Sequence, residues 1–296
     1  DRLLVGEEED IAFHGEGEDE LHLVFNFPLM RVASITPTHI RENQAERLAE
    51  LPEGAWPCNT FGNHDTSRMW NRYGDGVHDA ELARLHIALL LTLKGTPFLY
   101  NGEEISMSDR AFTSFDDVQD KAANSQYIEM VEEFGVPEEE ALSEALKHNR
   151  DRCRTPLQWR NAPNAGFSPE GVKTWLPVNA NYLDGVNVED ERADPGSLLS
   201  FYKRLLEMRR ASPALVAGDY EVCEPVSDEY LAFWRRDAET GQRCLIALNF
   251  SGEEQVVEVE GTEEVRALFS TERHDEVEKM NGLRLGAFEV FVGEVK

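Results

Sequence analysis

The sequence predicts an α/β fold with a parallel sheet, followed by a small all-β domain, and three observations lead there. Residues 1–107 alternate short apolar runs with segments of helical period, the pattern of a parallel sheet with crossover helices. From about Leu215 the apolar period becomes two, the pattern of antiparallel strands. At 296 residues and 41% hydrophobic, the chain is long enough to bury one large core or two smaller ones. The expected division is 1–214 and 215–296.

The apolar runs are RLLVG (2–6), LHLVFNFPLM (21–30), WPCNTFGNHD (56–65) and GTPFLYNGEE (95–104). They are short and nearly all apolar, as strands covered on both faces are. Residues 40–51 and 79–93 read as the intervening helices, the second with Leu82, Leu85, Leu89 and Leu93 at helical spacing. Residues 108–195 show little periodicity beyond an acidic helical patch from Ser125 to Leu146. This stretch reads as a long ordered excursion, because Trp159, Phe167, Trp175 and Tyr182 must pack somewhere, and loops of such length in compact domains are usually functional. Asp194-Pro195 reads as an N-cap and first helical residue. Leu198, Phe201, Tyr202, Leu205, Leu206 and Met208 give that helix an apolar face, Arg209 and Arg210 suit the negative end of its dipole, and Pro213 stops it. EYLAFWRR, RCLIALNFS, EQVVEVEG, EVRALFS and AFEVFVGEV then read as strands of a small antiparallel sandwich.

Charge and composition exclude several classes of partner. The net charge of −28, from 57 acidic against 29 basic residues, disfavours nucleic acid and anionic membrane surfaces. No run of about 18 apolar residues is present, so no membrane span is expected. Cys58, Cys153, Cys223 and Cys244 are widely spaced without metal-ligand spacing, and a reducing, cytoplasmic compartment is the simplest reading. Only seven of the 29 basic residues are lysine. The acidic balance fits either an ordinary acidic enzyme or one kept soluble in concentrated salt.

The residues that carry chemistry sit where the apolar runs end. Glu7 follows RLLVG, at what would be the mouth of a parallel barrel, the face where the active sites of such barrels lie. A carboxyl partly shielded there can act as a general acid, although Glu7 also begins four consecutive acids that could lie on a solvated loop. Asp65 ends another run, with His64 beside it. Two carboxylates at the ends of separate strands suit cleavage of a glycosidic bond, one of them stabilising the positive charge that builds on the sugar ring. His64 can donate to a sugar hydroxyl, and Arg68 can hold Asp65 by a charge-assisted hydrogen bond. A structural His-Asp pair or a helix cap is the alternative.

Several segments resemble the α-amylase superfamily. FGNHDTSR is similar to its Asn-His-Asp motif, and GTPFLYNGEEISM to the eighth-strand motif of its α-glucosidase branch. RDRCRTPLQW, with NAGF and WLPVNANY after it, resembles a segment of the α-glucosidase, oligo-1,6-glucosidase and trehalose-synthase-like group. RLLVGE resembles the acid/base strand, and DELHLVFNFPLM the sixth strand. The resemblance implies the C-terminal half of a (β/α)8 TIM barrel, strands five to eight, then a β-sandwich. It implies Glu7 as general acid/base, Asp65 as the carboxylate that stabilises the transition state, and His64 as a binder of the sugar in the −1 subsite. It also implies Arg150 as a substrate contact and Arg68 as the arginine after the Asn-His-Asp motif. It implies an oligosaccharide substrate and no cofactor or metal, and leaves the oligomeric state open.

The family's nucleophile, an Asp in a Gly-Phe-Arg-x-Asp pattern, has no counterpart here and would precede residue 1. These 296 residues alone are therefore expected to be inactive. Glu103 and Glu104 are expected to shape the wall of the site without a catalytic part. Glycosyl transfer or isomerisation uses the same residues as hydrolysis and stays open, as does a non-catalytic relative, which the retention of Glu7, His64 and Asp65 disfavours. Salt adaptation carries its own expectation: the melting temperature rises from dilute to molar KCl as the self-repulsion is screened, whereas a flat or falling curve in thermal scans identifies an ordinary acidic protein.

Overall fold

The computed structural model describes residues 2–16, 20–259, 263–273 and 277–295. Asp19 of the DELHLVFNFPLM segment and the last two residues of EQVVEVEG lie outside the described residues. In chain order the elements are β1 (Val5–Gly6), β2 (Leu23–Val24), α1 (Phe27–Met30), α2 (Pro37–Glu50), β3 (Cys58–Thr60), α3 (Met69–Tyr73), α4 (Asp79–Thr92) and β4 (Thr96–Phe98). Then come α5 (Lys121–Glu132), α6 (Glu138–Lys147), α7 (Val188–Ala193), α8 (Leu198–Ala211) and α9 (Pro213–Ala217). The remainder is β5 (Asp219–Val222), β6 (Tyr230–Arg236), β7 (Arg243–Asn249), β8 (Gln255–Val257), β9 (Glu264–Ser270), β10 (Val277–Lys279), β11 (Leu283–Leu285) and β12 (Val290–Val295). The chain forms two compact units, one of residues 1–61, 73–99 and 201–296, the other of 62–72 and 100–200.

In the first unit β1 pairs with β2 and β3 with β4, both parallel, and a parallel bridge from Phe25 to Cys58 links the two pairs in chain order. The strands are shorter than the apolar runs that hold them. In LHLVFNFPLM, Asn26 and Pro28 turn the chain into α1, because proline lacks the N–H a ladder needs and suits a first helical turn. Gly95 stands at φ 125°, and a Cβ there would lie 2.7 Å from the Pro57 carbonyl oxygen, so only glycine lets the chain enter β4 beside β3.

α2 begins where Thr36 Oγ1 accepts the His39 N–H at 3.2 Å, with Pro37 in its first turn. Its inward face is polar. Asn43 and Gln44 join Asn26 and Asn59 in a buried amide network: Asn26 donates to Asn43 at 2.8 Å and to Asn59 at 3.0 Å, and Asn59 donates to the Lys94 carbonyl at 3.0 Å. Arg47, also buried, donates to the carbonyls of Phe25 (3.0 Å) and Glu9 (2.6 Å). α4 supplies the apolar layer, with residues 85–92 buried. His86 is buried among them, and burial pushes its imidazole down to about 4.

β10, β9, β12, β7, β6 and β5 lie in that order in one antiparallel sheet, and β8 and β11 form a second antiparallel pair. Val257, Leu283 and Leu285 of the pair share one buried cluster with Trp234, Leu245, Ala247 and Phe291 of the sheet. β5, β10 and β11 are strands the sequence pattern did not mark; each has only three or four residues. All four cysteines are buried and free, and burial raises the thiols to about 12 at Cys58 and Cys223 and about 11 at Cys153 and Cys244.

Two expected helix boundaries are corrected in the second unit. α8 starts at Leu198, capped by Ser197, whose hydroxyl accepts the Ser200 N–H at 3.1 Å. Asp194 instead ends α7 and accepts the Gly196 N–H at 2.8 Å, since that short-range turn bond competes with helix capping. The acidic patch is two helices, α5 and α6, separated at Gly135 (φ 64°) and Pro137. Among the described residues no helix is long and apolar enough to cross a membrane.

The α4 C-terminus and the turn after it expose carbonyls that two buried arginines take. Arg209 of α8 donates to the carbonyls of Leu91 and Gly95, and Arg235 of β6 to those of Thr92 (2.6 Å) and Gly218 (2.8 Å). Arg235→Met keeps the apolar volume but strands two buried carbonyls, so it should cost roughly 2–5 kcal/mol. A urea unfolding midpoint unchanged by this substitution would show that the guanidinium is not needed there.

Candidate active site

Glu7 directly follows β1, in the first unit. Gly6 before it packs so tightly that a Cβ would lie 2.5 Å from the Leu21 side chain. The chain after Glu7 is anchored at Glu9, whose carbonyl accepts from Arg47 and whose carboxylate pairs with Arg31. Glu7 thus stands between a tightly paired strand end and a tethered turn, and it is solvent-exposed.

His64, Asp65, Arg68 and Arg150 lie in the second unit, and the structure brings His64, Asp65 and Arg150 together. Asn63 shapes their turn: its side-chain oxygen accepts the Asp65 N–H at 2.9 Å and the Thr66 hydroxyl at 3.0 Å. Asp65 Oδ1 receives Arg150 Nη1 at 3.1 Å and also Arg154 Nη2, and His64 Nε2 lies 3.6 Å from it. Arg154 further donates from Nε to the His64 carbonyl at 2.7 Å, so a single guanidinium holds both residues of the pair.

Arg150 is itself fixed from behind. Asp120, at the N-cap of α5, accepts Arg150 Nε at 3.0 Å and Nη2 at 2.8 Å in a two-pronged pair, and also the Arg150 backbone N–H at 3.0 Å. These bonds hold the Asp120 carboxyl down at about 2 and raise the Arg150 guanidinium further. Asp120 and Arg154 were not singled out from sequence. Arg154 carried a signal, since it repeats Arg150 four residues later within RDRCR.

The ion pair expected between Arg68 and Asp65 is not what forms. Arg68 is buried, donates to the Asn101 carbonyl at 2.9 Å and lies over the Tyr100 ring, and its backbone N–H donates to Asp109 at 2.9 Å. The physical reason is its place at the start of α3, where Asp109 also accepts the Ser67 hydroxyl and turns this segment inward.

Glu103 is a buried carboxyl of the same unit. It is 3% exposed, accepts the Tyr100 N–H at 3.1 Å on Oε2, and has no partner for Oε1 among the described residues. Burial pushes it up to about 8, against the smaller opposing effects of the Tyr100 N–H and Arg68 and with a small push from Glu104. Its Oε1 abuts Gly62, where a Cβ would lie 2.0 Å away, so Gly62 is what admits this side chain beside the Asn63–Asp65 turn.

A model of the α-amylase catalytic domain matches residues 2–218 of this chain. The chain belongs to the α-amylase family. It is 31% identical over its whole length to the oligo-1,6-glucosidase of Parageobacillus thermoglucosidasius, covering 55% of that protein. It is 36% identical to the glucan 1,6-alpha-glucosidase of Streptococcus pneumoniae across 71% of this chain and 38% of that one. Among solved structures, the trehalulose synthase MutB of Pseudomonas mesoacidophila MX-45 superimposes with a TM-score of 0.81 at 29% identity, over 94% of this chain and 51% of that one. A MutB variant in complex with Tris reaches 0.86 at 27% identity, over 100% and 56%. The chain spans about half the length of the curated relatives it matches. Its fold is of the α-amylase barrel type, with an antiparallel sheet region.

The raised carboxyl of Glu103 has a consequence for stability. Between the ordinary carboxyl value of 4.5 and about 8 the folded state holds a proton that the unfolded state has lost, so stability falls as pH rises through that window and levels off above it. Glu103→Gln removes the titrating group. It should flatten the fall and leave the variant more stable than the parent at pH 8, by a few kcal/mol at most. Parallel pH–stability curves for the two proteins would contradict the assignment.

Proposed function

We propose that the protein is part of a retaining α-glucosidase that hydrolyses terminal α-linked glucose from malto- or isomalto-oligosaccharides. The observation that carries the reading is the set of cations on Asp65. Arg150, locked by Asp120, and Arg154 hold this carboxylate beside His64 inside the motif that resembles the family's Asn-His-Asp segment. In this reading Glu7 protonates the leaving oxygen and then deprotonates water, Asp65 stabilises the oxocarbenium-like state, and His64 and Arg150 bind the sugar. Arg68 braces the wall through Asn101. The nucleophilic Asp comes from sequence outside these 296 residues, and the chemistry needs no cofactor.

The same reading divides the chain at 1–214, the second half of a (β/α)8 barrel, and 215–296, a small sandwich. Four parallel strands joined in chain order and a six-stranded sheet faced by a two-stranded pair support this. A cytoplasmic site of action fits four cysteines that are all free. Glycosyl transfer or isomerisation is the second reading, favoured by the likeness to trehalulose synthase structures at 27–29% identity. Hydrolysis is preferred because relatives at 31–36% identity are glucosidases by name.

The acid role is tested in the longer protein that supplies the nucleophile. Glu7→Gln should lower kcat by roughly 10²–10⁴ on isomaltose. The loss should be much smaller on an activated aryl glucoside, whose leaving group needs little protonation. Equal losses on the two substrates would take Glu7 out of that role.

A further inference from the structure

Glu103 is an ionisable side chain that the proposed chemistry does not use, packed against the turn that does. The segment from Gly62 to Arg68 carries His64 and Asp65, and Glu103 meets it at both ends. At the Gly62 end, its Oε1 lies 2.0 Å from where a Cβ would stand, so the carboxyl rests on the backbone of the turn. At the other end is Arg68, whose positive charge acts on Glu103. Arg68 reaches this depth past Gly102 (φ 96°), where a Cβ would lie 2.8 Å from its Nη1. Both side chains are almost fully buried, Glu103 at 3% and Arg68 at 1% exposure.

Each of the two keeps one buried polar atom without a partner among the described residues, Oε1 of Glu103 and Nε of Arg68. An acceptor and a donor left unjoined in one interior are costly if the acceptor is a carboxylate and tolerable if it is a neutral acid. The other groups around Glu103 supply no counter-charge. Glu104 is itself acidic and accepts the Gly102 N–H at 2.7 Å. Tyr100 gives Glu103 only its backbone N–H, and its hydroxyl donates to the Cys153 carbonyl at 3.2 Å. Beyond that ring the Cys153 thiol is pushed up to about 11 by burial, and Arg154 is engaged with Asp65 and the His64 carbonyl. Ile105 and Met107, which follow Glu103, are buried and apolar.

We propose that Glu103 is a positioning residue for the His64–Asp65 turn that works as a neutral acid, and that on losing its proton the carboxylate leaves Gly62 for Arg68 Nε and lets the turn shift. The proton passes to solvent, and the new charge is matched by the guanidinium. Packed interiors change between discrete arrangements and do not deform gradually, so the pair acts as a switch under the turn. The proposal rests on the glucosidase reading for what the turn does. It adds an upper pH limit to the site that does not come from Glu7.

The test uses the longer protein and α-glucosyl fluoride, whose leaving group needs no proton, so that Glu7 leaves no alkaline limb on kcat/KM. Rates are taken where circular dichroism shows the fold unchanged. In the parent, kcat/KM should still fall, about tenfold for each pH unit above about 8. Glu103→Gln should abolish that limb, whereas Glu104→Gln should keep it. A merely structural glutamate would change the height of the profile in Glu103→Gln and leave its shape. Gly62→Ala, whose Cβ would take the place of Oε1, should give the low alkaline value at every pH. A flat parent profile, a limb kept in Glu103→Gln, or a Gly62→Ala variant as active as the parent would each overturn the proposal. If the parent hydrolyses no glucoside, the glucosidase reading fails separately, and NMR decides this one. The His64 ring signals should then register a step near pH 8 in the parent that Glu103→Gln lacks. No step in the parent, or the same step in the variant, overturns the switch.

Discussion

Strands of two or three residues cannot satisfy their own ends, and most of the structure follows from how that shortage is met. β1 to β4 offer few ladder bonds, and the chain around them leaves carbonyls pointing into the interior. A buried carbonyl without a donor is costly, and arginine, with five N–H groups in a rigid fork, can serve several at once. Arg47 does so after β2, Arg209 and Arg235 at the end of α4, and Arg68 at Asn101. Asn59 does similar work at shorter reach, donating to the Lys94 carbonyl from a buried amide network that it shares with Asn26, Asn43 and Gln44. This gives a physical use to arginine's dominance over lysine among the basic residues: an ammonium is a point donor and bonds fewer carbonyls in fixed directions.

What the sequence revealed depends on the range of the signal. α4 is legible because Leu85 and Leu89 recur on one face, and that periodicity is local. β3 and β4 are legible as apolar runs, but their extents are not, since these depend on where a neighbour stops pairing. Ser197 capping α8 in place of Asp194 was hidden because both residues are good caps and the choice rests on α7 ending at Ala193. At the candidate site, Asp65, His64 and Arg150 stood out by motif. Arg154 and Asp120 did not, because an ion pair spanning 89 positions and a fork spanning 30 leave no mark in local sequence. Glu103 reads from sequence as part of the wall of the site, but its full burial against Gly62 leaves no local mark.

The site is also locally at odds with the chain that carries it. A molecule with a net charge of −28 places two arginines on one carboxylate, so the electrostatics around Asp65 are set by neighbours within 4 Å and not by the overall field. The oligosaccharide proposed as substrate is neutral, and such a molecule is neither steered nor repelled by that field. The acidic surface is thereby free to vary with the solvent while the Arg150–Asp120 fork, fixed at 2.8–3.0 Å, keeps the geometry constant.

The four buried cysteines turn the molecule into its own stopwatch. The thiolate is the form that reacts with alkylating agents, and burial lifts each of these thiols to about 11 or 12. At neutral pH a reagent gains almost nothing from the closed protein and reacts only after a segment has opened. Cys153 belongs to one compact unit, and Cys58, Cys223 and Cys244 belong to the other. The rates at which the individual thiols are trapped would time how often each unit breathes, without a label having to be introduced.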